Sequence, residues 1–153
     1  MSAVTKHMEK IILPNQFLLE QVLENLEKGK WMSIPVKGGS MRPFLRAGDR
    51  VLLKPFEKGS LKLGMIILGR IDGNLILHRL VRYDRERVWL AGDDNLVQHE
   101  ILPYGDVLAT AVRLYRGEKI LELNERWRCN LGQFWYRIRL LRRIIRKLKY
   151  SAK

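Results

Sequence analysis

Between Trp31 and Leu123 the chain is a succession of short β-branched or aliphatic runs cut by turn residues, with no helical pattern among them. Little else in the sequence restricts the fold as much. Parallel strands need long crossovers, normally helical, whereas antiparallel neighbours can be joined by two-residue turns. The runs fall at residues 32–37, 49–54, 65–71, 75–83, 87–91, 106–115 and 119–123. Asp72-Gly73-Asn74 and Arg116-Gly117-Glu118 read as tight hairpin turns. The expectation is a mainly β fold, a partly closed antiparallel domain.

Helical patterns flank it. Residues 15–28 carry Leu19, Val22, Leu23 and Leu26 on one stripe, with Pro14 and Asn15 as start signals and Gly29 as the stop. From Leu131 to Lys149, apolar residues recur every three or four positions and Arg or Lys fills most of the others. That segment reads as one basic amphipathic helix, and it either docks on the β domain or meets a membrane surface or a partner. The organisation expected is a helical segment at 1–30, a β domain at 31–125 and the basic helix at 126–153. Charge follows this division: residues 1–125 hold 19 Lys and Arg against 16 Asp and Glu, while 126–153 hold 10 Lys and Arg and no acid. Partner arguments from charge therefore apply to the tail alone. Nucleic acid is not expected, since no helix-turn-helix is evident. No apolar run is long enough to span a bilayer, and the first ten residues lack the apolar core of a secretory signal. The one cysteine, Cys129, excludes an internal disulfide or a multi-cysteine metal site and reads as a small residue near the surface.

Chemistry is suggested by residues 36–55, VKGGSMRPFLRAGDRVLLKP. Gly38 and Gly39 give the backbone before Ser40 unusual freedom, and Pro43 stiffens it after Met41 and Arg42. An ordinary loop could have this composition too. A serine hydroxyl needs a base before it can attack a carbonyl. Of the three histidines, His7 lies near the N-terminus, His99 in a loop before Pro103, and His78 within NLILHRLVRYD. Alternation puts Ile76, His78, Leu80 and Arg82 on one face of that strand and Leu77, Arg79, Val81 and Tyr83 on the other. A histidine between aliphatic residues is equally a hydrogen-bonded core residue. Asp93 and Asp94 follow Gly92 at a strand end, where a carboxylate could orient an imidazole or simply form a turn.

Together these stretches resemble the signal peptidase and LexA-type (S24/S26) serine peptidase superfamily. GGSMRPFLRAGDRVLLKP is similar to its serine box, LGMIILGRIDGNLILHRLV to the strand carrying its catalytic base, and GDDN to its Gly-Asp-Asn box. The resemblance covers about residues 31–112. It implies a serine endopeptidase with Ser40 as nucleophile and His78 as base, in the histidine-using branch. It implies Asp93 as the best match for the acidic residue, with Arg79 as its charge partner. Asp94 and Glu100 compete for the orienting role, because the further acid usual in this branch is replaced by QHE. The backbone N–H of Ser40 would help form an oxyanion hole within the turn of Gly38, Gly39 and Met41, while Gly38 stands where a hydroxyl residue often supplies a second donor. Neither a metal nor a cofactor is implied. The substrate implied is an extended peptide with small residues at the scissile bond, as in leader-peptide processing. Because no membrane-spanning run or DNA-binding domain precedes Ser40, a stand-alone member acting in trans is expected, cytoplasmic or peripheral to the inner membrane. The alternative is a non-catalytic module that keeps the fold and binds peptides or membrane surfaces.

Overall fold

The structure of the protein is a computed structural model that describes residues 16–152. Helix α1 (Gln16–Glu27) comes first. Its residues Val22 and Leu26 are buried, and Leu19 and Leu23 pack against the same core, as their shared stripe requires. Gly29, with φ of 75°, carries the chain out of the helix. Pro14 and Asn15, the start signals read from the sequence, lie outside the described residues.

Eight strands come after it: β1 (Met32–Pro35), β2 (Arg50–Pro55), β3 (Ile66–Ile71), β4 (Asn74–Tyr83), β5 (Arg87–Ala91), β6 (Glu100–Pro103), β7 (Val107–Arg116) and β8 (Lys119–Glu122). All pair antiparallel in one sheet of order β1-β2-β7-β3-β4-β5-β6, with β8 on β7. Strand β7 organises the sheet. Its residues 107–111 pair with β3 and 113–116 with β8, while β2 runs along the opposite edge. The turn joining β3 to β4 is Asp72-Gly73, both with positive φ (48° and 75°), which suits the twist of a two-residue hairpin. Register shifts at Leu52/Leu53, Leu68/Gly69 and Leu80/Arg82 bend the ladders. Strands β1 and β6 nonetheless remain at the two ends, so the mainly β fold is an open sheet rather than a partly closed one. Strand β6 is the one the sequence pattern did not reveal.

Alternation on β3 and β4 builds a core on each face of the sheet. Leu68, Leu75 and Leu77 join Val22 and Leu26 beneath α1. Ile67, Ile76 and Leu80 join Leu90 and Leu102 on the other side. The basic segment is two helices, not one: α2 (Arg126–Arg137) and α3 (Arg139–Ser151), divided at Ile138, whose ψ of 11° lies outside the helical range. Helix α2 starts earlier than the periodicity suggests, at the end of the β8 connection. It docks through buried Cys129 and Gly132, so Cys129 is a core residue and not a surface one. The cause is close packing: α2 passes the Cys129 backbone directly over Gly64, where no side chain would fit. Burial pushes the Cys129 thiol above its ordinary value.

Candidate active site

Ser40 lies in the irregular connection between β1 and β2. Gly38 has φ of 74°, a conformation that favours glycine, and the peptide bond between Arg42 and Pro43 is cis. Beyond Ser40 the chain is pinned from beneath: Met41 and Leu45 are buried, and the Met41 carbonyl accepts N–H bonds from Phe44 (3.0 Å) and Leu45 (2.9 Å). The core thus holds this turn on one side and leaves Ser40 half-buried at its surface. Gly39 takes part through its carbonyl, which accepts the Arg42 N–H at 3.1 Å.

His78 reaches this turn from β4, in the middle of the sheet. The residue is 7% exposed, with Nε2 3.3 Å from Ser40 Oγ and Nδ1 2.8 Å from Glu100 Oε2. A carboxylate can only accept at Nδ1, so that nitrogen carries a proton, and in a neutral imidazole Nε2 is then the acceptor facing the serine. Sheet register explains how Glu100 gets there. Leu80 of β4 faces Leu90 of β5, which faces Glu100 of β6, and residues directly opposite share a face. His78 is on the face of Leu80, so Glu100 approaches it from two strands away. Gly92, just past β5, makes the space. A Cβ there would lie 2.7 Å from the Ser40 carbonyl oxygen and 3.3 Å from His78 Nε2. The GDDN segment also closes on the serine turn through the Asp94 N–H, which donates to the Ser40 carbonyl at 2.9 Å.

Asp93 has a different partner. Arg79, next to His78 and on the opposite face of β4, grips it with both arms: Nε to Oδ1 at 2.6 Å and Nη2 to Oδ2 at 2.7 Å. The remaining arm, Nη1, donates to the Gly64 carbonyl at 2.6 Å. Burial pushes the Asp93 carboxyl above the usual carboxylate range, and the Arg79 fork pulls it the other way. Phe44 lies against the guanidinium, whose Cζ is 4.9 Å from the ring centre, and Gly132 of α2 covers it so closely that any side chain there would overlap it. Asp93 is the first choice from sequence for the acid on the imidazole. That choice is corrected to Glu100, because both Asp93 oxygens are occupied across the sheet from His78. Asp94 is half-exposed and pairs with Arg146 at 3.0 Å. His99 turns to the Tyr136 hydroxyl, and Lys54 pairs with Glu57 at 3.3 Å. His7 lies outside the described residues.

Two contributors are not visible from sequence reasoning. Gly92 carries a signal, since it opens the GDDN box, but its role as a spacer needs the register of β4 and β5. The C-terminal brace carries none: Trp135 Nε1 (2.9 Å) and Arg142 Nη2 (2.8 Å) both donate to the Asp93 carbonyl, steadying the loop that abuts Ser40.

A family model described as Peptidase S24-like matches residues 2–112. The chain belongs to the peptidase S24-like family. The matched stretch of this S24-like chain takes in Ser40, His78, Gly92, Asp93 and Glu100, and it ends before α2 and α3. A search of curated proteins finds no match. Among the described residues, no helix is long and apolar enough to cross a membrane.

Proposed function

We propose that this S24-like protein is a serine endopeptidase in which Ser40 is the nucleophile, His78 the general base and Glu100 the residue that orients it. One observation carries the reading: a continuous line from Ser40 Oγ through both His78 nitrogens to Glu100, at 3.3 Å and 2.8 Å. A gap of 3.3 Å is long for a finished hydrogen bond but ordinary for an unliganded enzyme, whose catalytic contacts tighten on the substrate.

Those positions support the following chemistry. Ser40 Oγ attacks the scissile carbonyl carbon as its proton passes to His78 Nε2, and the Glu100 carboxylate steadies the imidazolium that results. The imidazolium then protonates the departing amine as the C–N bond breaks, leaving an ester on Ser40. Water, deprotonated by the same nitrogen, cleaves the ester and restores the serine. Developing charge on the carbonyl oxygen needs N–H donors, for which the family resemblance offers the Ser40 backbone and its Gly38-Gly39-Met41 turn. The substrate class that fits is a peptide bound extended with small residues at the cut, as in removal of a leader segment.

The test is to incubate the protein with a complex mixture of peptides and identify new termini by mass spectrometry. The expected result is a shared set of cut sites with small flanking residues, absent with Ser40→Ala. Identical cuts with Ser40→Ala, or no cuts at all with the wild type, would favour the non-catalytic module.

A further inference from the structure

Helix α3 lies on the protein with its polar side inward. At about 100° per residue, Leu140, Leu141, Ile144, Ile145 and Leu148 occupy one arc of about 140°, and the Arg and Lys residues occupy the opposite one. An amphipathic helix on a globular domain normally buries the apolar arc. Here the contacts to the domain come from the basic arc: Arg142 Nη2 donates to the Asp93 carbonyl at 2.8 Å, its guanidinium stacks on Trp135 at 4.0 Å, and Arg146 pairs with Asp94 at 3.0 Å. The apolar arc is left outside, with Leu140 62%, Leu141 55%, Ile144 56%, Ile145 45% and Leu148 64% exposed. Helix α2 adds exposed Trp127, Leu131 and Phe134.

An apolar stripe of that size on a surface marks an interaction site, and charge identifies its occupant. Arg143, Lys147 and Lys149 stay exposed on the same helix, and no acid occurs anywhere from 126 to 153. A second copy docking stripe to stripe would bring these cations against their own kind. An anionic bilayer offers what both arcs lack: hydrocarbon for the leucines and isoleucines, and phosphates for the cations beside them. We propose that α3 is an in-plane anchor for an anionic lipid surface. Its inward arginines hold the Asp93-Asp94 loop, whose N–H is bonded to Ser40. The anchor therefore holds the Ser40 turn near the lipid, with the helix and the Asp93-Asp94 loop between them. This inference rests on the surface of α3 and does not depend on the peptidase reading.

Co-sedimentation of the full chain with sucrose-loaded vesicles tests it. Vesicles containing phosphatidylglycerol should pellet the protein, pure phosphatidylcholine vesicles should do so far less, and raising the salt should release it. Replacing Leu141 and Ile145 with Ser keeps the charge and touches only exposed positions, so the thermal midpoint should not move. The partition coefficient should fall at least about tenfold, since two side chains lose their burial in hydrocarbon. Unchanged binding by that double variant would overturn the anchor in favour of simple adsorption of a basic surface. Equal binding to phosphatidylcholine would overturn the charge argument. Absence of vesicle binding, with a dimer in sedimentation velocity that the double variant loses, would assign the stripe to a second copy instead.

Discussion

Adjacent residues on β4 support two buried polar pairs of opposite character. On one face, His78 meets Glu100, and on the other Arg79 meets Asp93. Both carboxylates are buried, and both pairs tie β4 to the chain beyond β5. The difference lies in the cation. Arginine is always charged and fills a fixed two-pronged geometry, so its pair serves as a permanent clasp. Histidine can be neutral, and its second nitrogen points outward to a hydroxyl, so its pair can pass a proton on. Alternation alone separates the two, sending neighbouring side chains to opposite faces. Adjacent positions can thus be divided between chemistry and architecture.

Substitutions should separate the pairs cleanly. The largest expected effect is on turnover: His78→Ala should lower peptidase kcat/KM by at least about 10³-fold, and combining it with Ser40→Ala should add little, because the residues act as one unit. Thermal unfolding should show both variants folded. Arg79→Ala should do the reverse, costing about 3–5 kcal/mol in denaturant unfolding by leaving Asp93 buried without its partner. If Arg79→Ala proves as stable as the wild type, the clasp is not one. Glu100→Gln should sit between them, with kcat down about 10²–10⁴-fold while KM holds, because an amide can donate to Nδ1 and favour the wrong tautomer. A loss of stability without loss of kcat would make Glu100 part of the architecture as well.

The smallest effect concerns a third carboxylate, at the far end of the connection that carries Ser40. Burial alone would raise the Asp49 carboxyl, but two bonds from Arg116 and one from the Arg46 N–H outweigh it and hold the group below its usual range. A depressed acid lends stability above its unfolded value, about 3.9, and that stability is lost as pH falls through the lower folded value. Asp49→Asn should therefore cost about 1–3 kcal/mol at neutral pH and flatten the decline in melting temperature below about pH 4. Activity at neutral pH should be untouched.

Much of this contrast is legible in the sequence, and the gap has a physical cause. Turn residues and aliphatic runs locate most of the strands, and the alternation of NLILHRLVRYD puts His78 and Arg79 on opposite faces. Strand β6 escapes because its pattern is inverted: Glu100 and Leu102 point inward while Ile101 is 52% exposed. A charged residue in an inward position looks like a loop until its histidine is seen. Choosing Glu100 over Asp93 requires knowing which partner each carboxylate faces, and that depends on register between strands remote in sequence. The C-terminal helix pair reads as one helix because its periodicity runs unbroken through Ile138. Which arc faces inward is decided by contacts with the Asp93-Asp94 loop, and no periodicity encodes those.

All of the proposed chemistry turns on His78, held by Glu100, activating Ser40. Intact-mass spectrometry after reaction with a fluorophosphonate addresses this without a known substrate, since the reagent reacts far faster with an activated serine than with an ordinary hydroxyl. One adduct per chain is expected, mapped to Ser40. Labelling should slow severely in Glu100→Gln and His78→Ala and stay near the wild-type rate in Asp49→Asn. Labelling of Ser40 at an undiminished rate in His78→Ala would contradict the mechanism.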